Sequence, residues 1–186
     1  MVRITWHQAV RFCELLSKKT GYRAKLPTEA QWEWACRAGT ATPLWYGDAD
    51  TDFGAFENLS GREKKRLAFP WGKHPAWFLR DDRFGDGAVV TAPVGSYKPN
   101  PWGLKDMHGN VSEWTSSRYG VTLSAEVPVA KTAPDTVEYV IRGGSWDHRP
   151  RYAYSTARWK YPAWRKIHHV GMRVVLEVPA RKDGAK

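Results

Sequence analysis

The chain has 186 residues, 42% hydrophobic and 13% aromatic, and carries a formal net charge of +10. That is enough apolar material for one domain with a core, and it excludes disorder throughout. No apolar run approaches the roughly 20 residues that a membrane-crossing helix needs, and the start, MVRITWHQAV, lacks signal-peptide character, so the chain as written reads as cytoplasmic with no membrane partner.

Thr5-Trp-His-Gln8 is a capping box that predicts a first helix, with Ala9, Phe12, Cys13 and Leu16 as its apolar face and Gly21 as its end. Thr28-Glu-Ala-Gln31, just after Pro27, predicts a second helix with Trp32, Ala35 and Cys36 facing inward and Gly39 closing it. Cys13 and Cys36 fall beside apolar positions and read as buried thiols, although spacing alone leaves a disulfide open. Beyond Gly39 the chain turns irregular: Trp45-Tyr-Gly47, Pro70-Trp-Gly72 and Gly85-Asp-Gly87 read as turns, and residues 60–84 as a surface insertion. Pro93–Tyr97, Val137–Ile141 and Val170–Val178 are the strand candidates, and 179–186 reads as a flexible tail after a domain spanning 1–178. Two short helices followed by short strands, expected to be antiparallel, and long ordered loops give an α+β class.

The charge is spread thinly. Arg62-Glu-Lys-Lys-Arg66, Arg181-Lys182 and the arginines between Arg149 and Arg173 match no nucleic-acid-binding pattern. They read as solvated faces or as a patch for an acidic ligand, and nucleic acid is a disfavoured partner. The six histidines form no HxxxH or HExxH spacing, and His168-His169 on a strand would point to opposite faces and make a poor chelate.

Two segments stand out. Trp102-Gly-Leu-Lys-Asp-Met-His-Gly-Asn-Val-Ser-Glu-Trp114 suits neither a plain helix nor a plain strand, and it sets Asp106 and Glu113 seven residues apart in a loop where both can meet a hard cation. Arg142-Gly-Gly-Ser-Trp146 follows, and after it a stretch to Val170 rich in Arg, Tyr, Trp and His. With ITWHQAVRFC, RAKLPTEAQWEWACRAGT, NLS, TAPVGSYKPNPWGLKDMHGNVSEWTSS, VIRGGSW and HHVGMRVV in that order, the chain resembles the formylglycine-generating-enzyme (sulfatase-modifying factor) family from about Ile4 to Val175.

The resemblance implies a C-type-lectin-like fold with little regular structure and loops fixed by aromatics and structural Ca²⁺. One calcium set would comprise the Asp106 and Glu113 side chains with the Gly109 and Val111 carbonyls. A second would comprise the Asn58 and Asp86 side chains with the Leu59 and Ala88 carbonyls. Catalytic members oxidise a substrate cysteine to formylglycine with Cu(I) held by two cysteines, and thiolates suit that soft ion. The matching positions here are His148 and Ala153. Ser145 matches a substrate-site serine, and Ser112 stands where the family has a tryptophan. Copper and oxidase activity are therefore not expected.

The leading expectation is a module that binds a peptide or acidic small ligand through Trp146, Arg149, Arg151, Arg158, Trp159 and Arg165. The alternatives are an enzyme using other metal chemistry, non-heme iron included, in the cleft of Ser145 and His148, and a retroelement-diversified lectin-fold binder. The family usually carries a segment upstream of the part resembling Ile4, so the expectation is either that this segment is missing from the chain given or that a partner chain or self-association completes the sheet.

Overall fold

Both capping boxes close as their sequences require. In α1 (Trp6–Thr20) the Thr5 hydroxyl accepts from the Gln8 backbone N–H, the Gln8 side chain accepts from the Thr5 N–H, and Gly21 ends the helix at φ +75°. In α2 (Glu29–Arg37) Thr28 and Gln31 make the same pair. Here Ala38, not Gly39, takes the first left-handed position at φ +45°, with Gly39 following at +89°. The computed structural model describes residues 2–67, 79–120 and 137–178. The expected tail at 179–186 and the middle of the 60–84 insertion lie outside them.

Among the described residues the strands are β1 (Arg23–Lys25), β2 (Ser112–Arg118), β3 (Glu138–Arg142), β4 (Trp159–Pro162), β5 (Val170–Met172) and β6 (Val175–Glu177). A four-stranded sheet runs β4-β3-β2-β5, with β2–β3 and β3–β4 antiparallel and β2–β5 parallel. β1 and β6 form a separate antiparallel pair. The class is α+β, but three sequence expectations need correction. Pro93–Tyr97 is a turn and not a strand. The predicted strand from Val170 to Val178 is two strands, because Met172 still pairs with β2 whereas Val175 already pairs with β1, and Arg173 between them turns its side chain inward. The strands are not all antiparallel, since β5 runs parallel to β2.

α1 lies on the sheet. Ile4, Ala9, Cys13, Leu26, Trp114, Tyr139, Ile141 and Val170 form the principal core. The tryptophans there satisfy their indole N–H groups on backbone: Trp6 donates to the Thr115 carbonyl at 2.8 Å and Trp114 to that of Ile4 at 3.1 Å. Trp6 also stacks on Tyr139 with ring centroids 3.8 Å apart. Phe12, expected inside, is 40% exposed. Two smaller cores, Trp32–Cys36–Met107 and Leu44–Phe53–Leu59–Ala153, sit under the long loops and carry the candidate site.

Candidate functional site

The loop Asp106–Glu113 folds around a buried polar axis. Asp106, Gly109 and Asn110 take left-handed φ values of +56°, +72° and +54°, a conformation that Asp, Asn and Gly tolerate best. These residues turn the chain so that the Gly109 N–H reaches the Gly143 carbonyl (2.8 Å) and the Asn110 N–H that of Asn58 (2.7 Å). His108 is buried beneath them. Its Nδ1 donates to the Ala153 carbonyl at 2.7 Å, and its Nε2 accepts from the Trp45 N–H at 3.2 Å. Burial drives its pKa down to about 4. Glu57, equally buried, accepts from the His108 N–H and the Trp45 indole, and desolvation holds its carboxyl well above the usual range. Glu57, His108, Asn110 and Arg173 were not singled out by sequence reasoning. The one signal for His108 and Asn110 was their place inside the glycine-bearing loop.

The two expected cation sets differ. In the first, the Glu113 carboxylate is gripped bidentately by Arg173 (2.9 and 2.9 Å) and also accepts the Trp32 indole N–H at 2.7 Å. A guanidinium thus stands beside the carboxylate assigned to a cation. Asp106 lines the same cleft, of about 360 Å³, with one carboxylate oxygen taken by the Gly95 N–H and the other, Oδ1, buried with no hydrogen-bond partner among the described residues. Val111 shares the cleft. In the second set, Asp86 folds back to accept the Leu59 and Ala88 N–H groups, both at 2.8 Å, which draws all the named residues except Asn58 around one carboxylate. Burial raises the Asp86 pKa to about 6. Asn58 donates its amide to the Val90 carbonyl and to Asn110, and its buried Oδ1 has no partner among the described residues. Two orphaned buried oxygens and an all-oxygen donor set fit a hard cation, and the second set fits better because, among the described residues, its carboxylate pairs with no guanidinium.

Beside the second smaller core a cleft of about 270 Å³ is lined by Lys64, Leu79, Asp147, His148, Arg149, Tyr152 and Trp159. Ser145 Oγ and His148 Nδ1 are 3.0 Å apart, and the His148 ring lies parallel to Trp159 at 5.8 Å. Lys64 departs from expectation. The charged run at 62–66 reads as a solvated face, yet this side chain is 3% exposed, ion-paired with Asp147 and set over the Trp146 ring. Of the residues expected to hold a ligand, Arg149 and Trp159 line the cleft. Arg158 is instead spent on Glu29, bidentate at 2.7 and 2.8 Å. Arg165 lies over the Tyr161 ring, and Arg151 is exposed outside the cleft lining.

Neither copper-equivalent position offers sulfur. His148 faces Ser145, and Ala153 is fully buried among Leu44, Phe53 and Leu59. The chain's two cysteines are free, buried and held as thiols by desolvation: Cys13 on the inner face of α1, Cys36 with Sγ 3.4 Å from His108 Nε2. A paired-thiolate Cu(I) site does not fit these residues. One histidine expectation is reversed. His168 and His169 lie in a turn before β5, not on a strand, and their ring nitrogens converge to 3.3 Å.

Two helices, short strands and long loops tied by buried polar groups define a C-type-lectin-like domain, and solved structures of that fold superpose on it. Residues 1–178 match the sulfatase-modifying factor enzyme 1-like domain, and the chain belongs to that family. It is 29% identical to the formylglycine-generating enzyme of Mycobacterium tuberculosis over 95% of its own length and 57% of the relative's. It is 30% identical over 156 residues to the inactive C-alpha-formylglycine-generating enzyme 2 of Bos taurus, covering 78% of this chain and 38% of that protein. The chain therefore spans little more than half, or less, of these curated relatives. PvdO from Pseudomonas aeruginosa superposes with a TM-score of 0.73 at 25% identity, covering 95% of this chain and 61% of PvdO. No helix among the described residues is long and apolar enough to cross a membrane.

Proposed function

We propose that this domain binds an acidic peptide or small acidic ligand in the cleft of Arg149, Tyr152 and Trp159, and does not oxidise cysteine to formylglycine. The observation that carries the reading is the pair of replacements at the copper-equivalent positions. His148 is engaged with Ser145, and Ala153 is fully buried, packed so closely on Gly144 that position 144 has no room for a side chain. The cleft itself supplies what a binding face uses. Trp159 gives a flat surface, and the buried Nε of Arg149 has no hydrogen-bond partner among the described residues. A relative named as inactive supports a family in which the fold outlasts the oxidation.

The test has two arms. A cysteine peptide of the sulfatase type, incubated with the protein and Cu(I), is expected to emerge without formylglycine by mass spectrometry, and aldehyde product would sink the reading. A glutamate-rich fluorescent peptide is expected to bind and to lose at least about tenfold in affinity in Arg149→Ala and Trp159→Ala, about 1.4 kcal/mol each. Equal affinity in both variants would place the ligand elsewhere.

The same reading includes Ca²⁺ as a structural ion on Asn58, Leu59, Asp86 and Ala88, where it would tie loop to loop without reacting. Saturation at about 100 times Kd stabilises the fold by about 2.7 kcal/mol. For a chain of this size the melting temperature should then rise by roughly 5–10 °C with Ca²⁺ and fall again with a chelator. Asp86→Asn should abolish most of that rise, and melts insensitive to Ca²⁺ would remove calcium from the account.

A further inference from the structure

A group of side chains just past the Arg-Gly-Gly-Ser segment has no part in the oxygen-lined loops, and only its aspartate, Asp147, reaches the ligand cleft. We propose that Asp147, His168 and His169 form a binding site for one divalent first-row transition-metal ion. Their ligand atoms all lie within 4.8 Å of one another. His168 Nε2 and His169 Nδ1 are 3.3 Å apart, with the two rings nearly perpendicular at 89°. Two imidazole nitrogens each about 2.0–2.1 Å from a tetrahedral ion stand about 3.3 Å apart. The pair is thus already spaced as a chelate. Asp147 Oδ2 lies 3.8 Å from His168 Nε2, slightly wide, and His168 is half exposed and has room to rotate.

Independent observations favour the site. His169 is only 7% exposed, yet its other nitrogen, Nε2, has no hydrogen-bond partner among the described residues. Hydrogen bonding within the fold therefore does not fully account for burying this imidazole. Lys64 pairs with Asp147 through Oδ1, which fixes the carboxylate and leaves Oδ2 turned toward His168. The ammonium also moderates affinity, because it repels a dication. Two imidazoles and one carboxylate suit Zn²⁺, Fe²⁺ or Co²⁺ and differ in kind from the all-oxygen calcium sets. Three protein ligands leave a coordination position open. Asp147 also lines the cleft of His148 and Trp159, so that position would lie at the cleft edge, within reach of an acidic ligand. The site stands whether or not the binding role does.

The probe is Co²⁺, titrated into the chelator-treated protein with excess Ca²⁺ present to occupy oxygen sites. We expect one equivalent to bind with visible d–d absorption, displaceable by Zn²⁺. His168→Ala and Asp147→Asn should each weaken binding at least about tenfold. Melts of the metal-free variants check folding, and the exposure of His168 makes His168→Ala the safer of the two. The proposal is overturned by the absence of an absorption band, or by titration curves that are the same in the wild type and in both variants.

Discussion

Gly109→Ala is expected to destabilise the domain by about 3–5 kcal/mol, a fall of roughly 10 °C or more in melting temperature. Gly109 has φ +72°, and a Cβ there would collide with the carbonyl oxygen of Asn58 and press on Leu59. The two backbones cannot part freely. The Asn58 carbonyl is held by the Asn110 N–H at 2.7 Å, and Gly109 is itself held to Gly143 at 2.8 Å. This crossing joins the loop of one candidate calcium set to that of the other, so a shift there should also blunt any stabilisation by Ca²⁺. Gly103→Ala is the control. Its φ of +82° carries the same left-handed penalty, about 1–2 kcal/mol, but nothing lies within 4 Å of the added Cβ. Chemical denaturation of the two variants should show Gly109→Ala losing at least twice as much. Equal losses would mean that the close approach of the loops contributes little.

Acid should unfold the domain through His108. Its folded pKa of about 4 lies below the ordinary value of 6.5. The folded state therefore resists a proton that the unfolded chain accepts, and the contribution is fully present above pH 6.5. It is lost as the pH falls from 6.5 toward 4, by roughly 3 kcal/mol in all, at 1.36 kcal/mol per unit. The geometry gives the reason. Nδ1 already donates to Ala153, and a proton on Nε2 would face the Trp45 N–H that it now accepts. Glu57 acts in the opposite sense, because its raised pKa favours the folded state as the carboxyl protonates. The observable is thus a difference: urea midpoints of the wild type and His108→Gln, measured from pH 7 to pH 4. The wild type should lose stability faster than the variant across that window. Parallel curves would show that His108 does not carry the acid response.

Much of this molecule was legible in one dimension, and much was not. The two helices announced themselves because a capping box is a local device: Thr5 with Gln8 and Thr28 with Gln31 bond within a single turn. The C-type-lectin-like class followed from the order of the motifs, whereas the N–H groups of Leu59 and Ala88 that Asp86 accepts are contacts no motif announces. β2 was hidden inside the loop motif. Ser112, Glu113, Trp114 and Thr115 are all buried, so no alternation of polar and apolar residues marks them as a strand.

What sequence by itself determined here is local: helix starts, turn positions where Asp, Asn or Gly accept positive φ, and the absence of sulfur at His148 and Ala153. What only the tertiary structure decided is which charge meets which. Arg173 takes Glu113, sixty residues away; Arg158 takes Glu29; Lys64 leaves its charged run to be buried on Asp147; and a turn swings His168 and His169 together. Each of these pairs joins groups distant in the chain, or depends on a turn that the packing around it sets. Coulomb attraction and desolvation act on distance in space, and folding sets that distance.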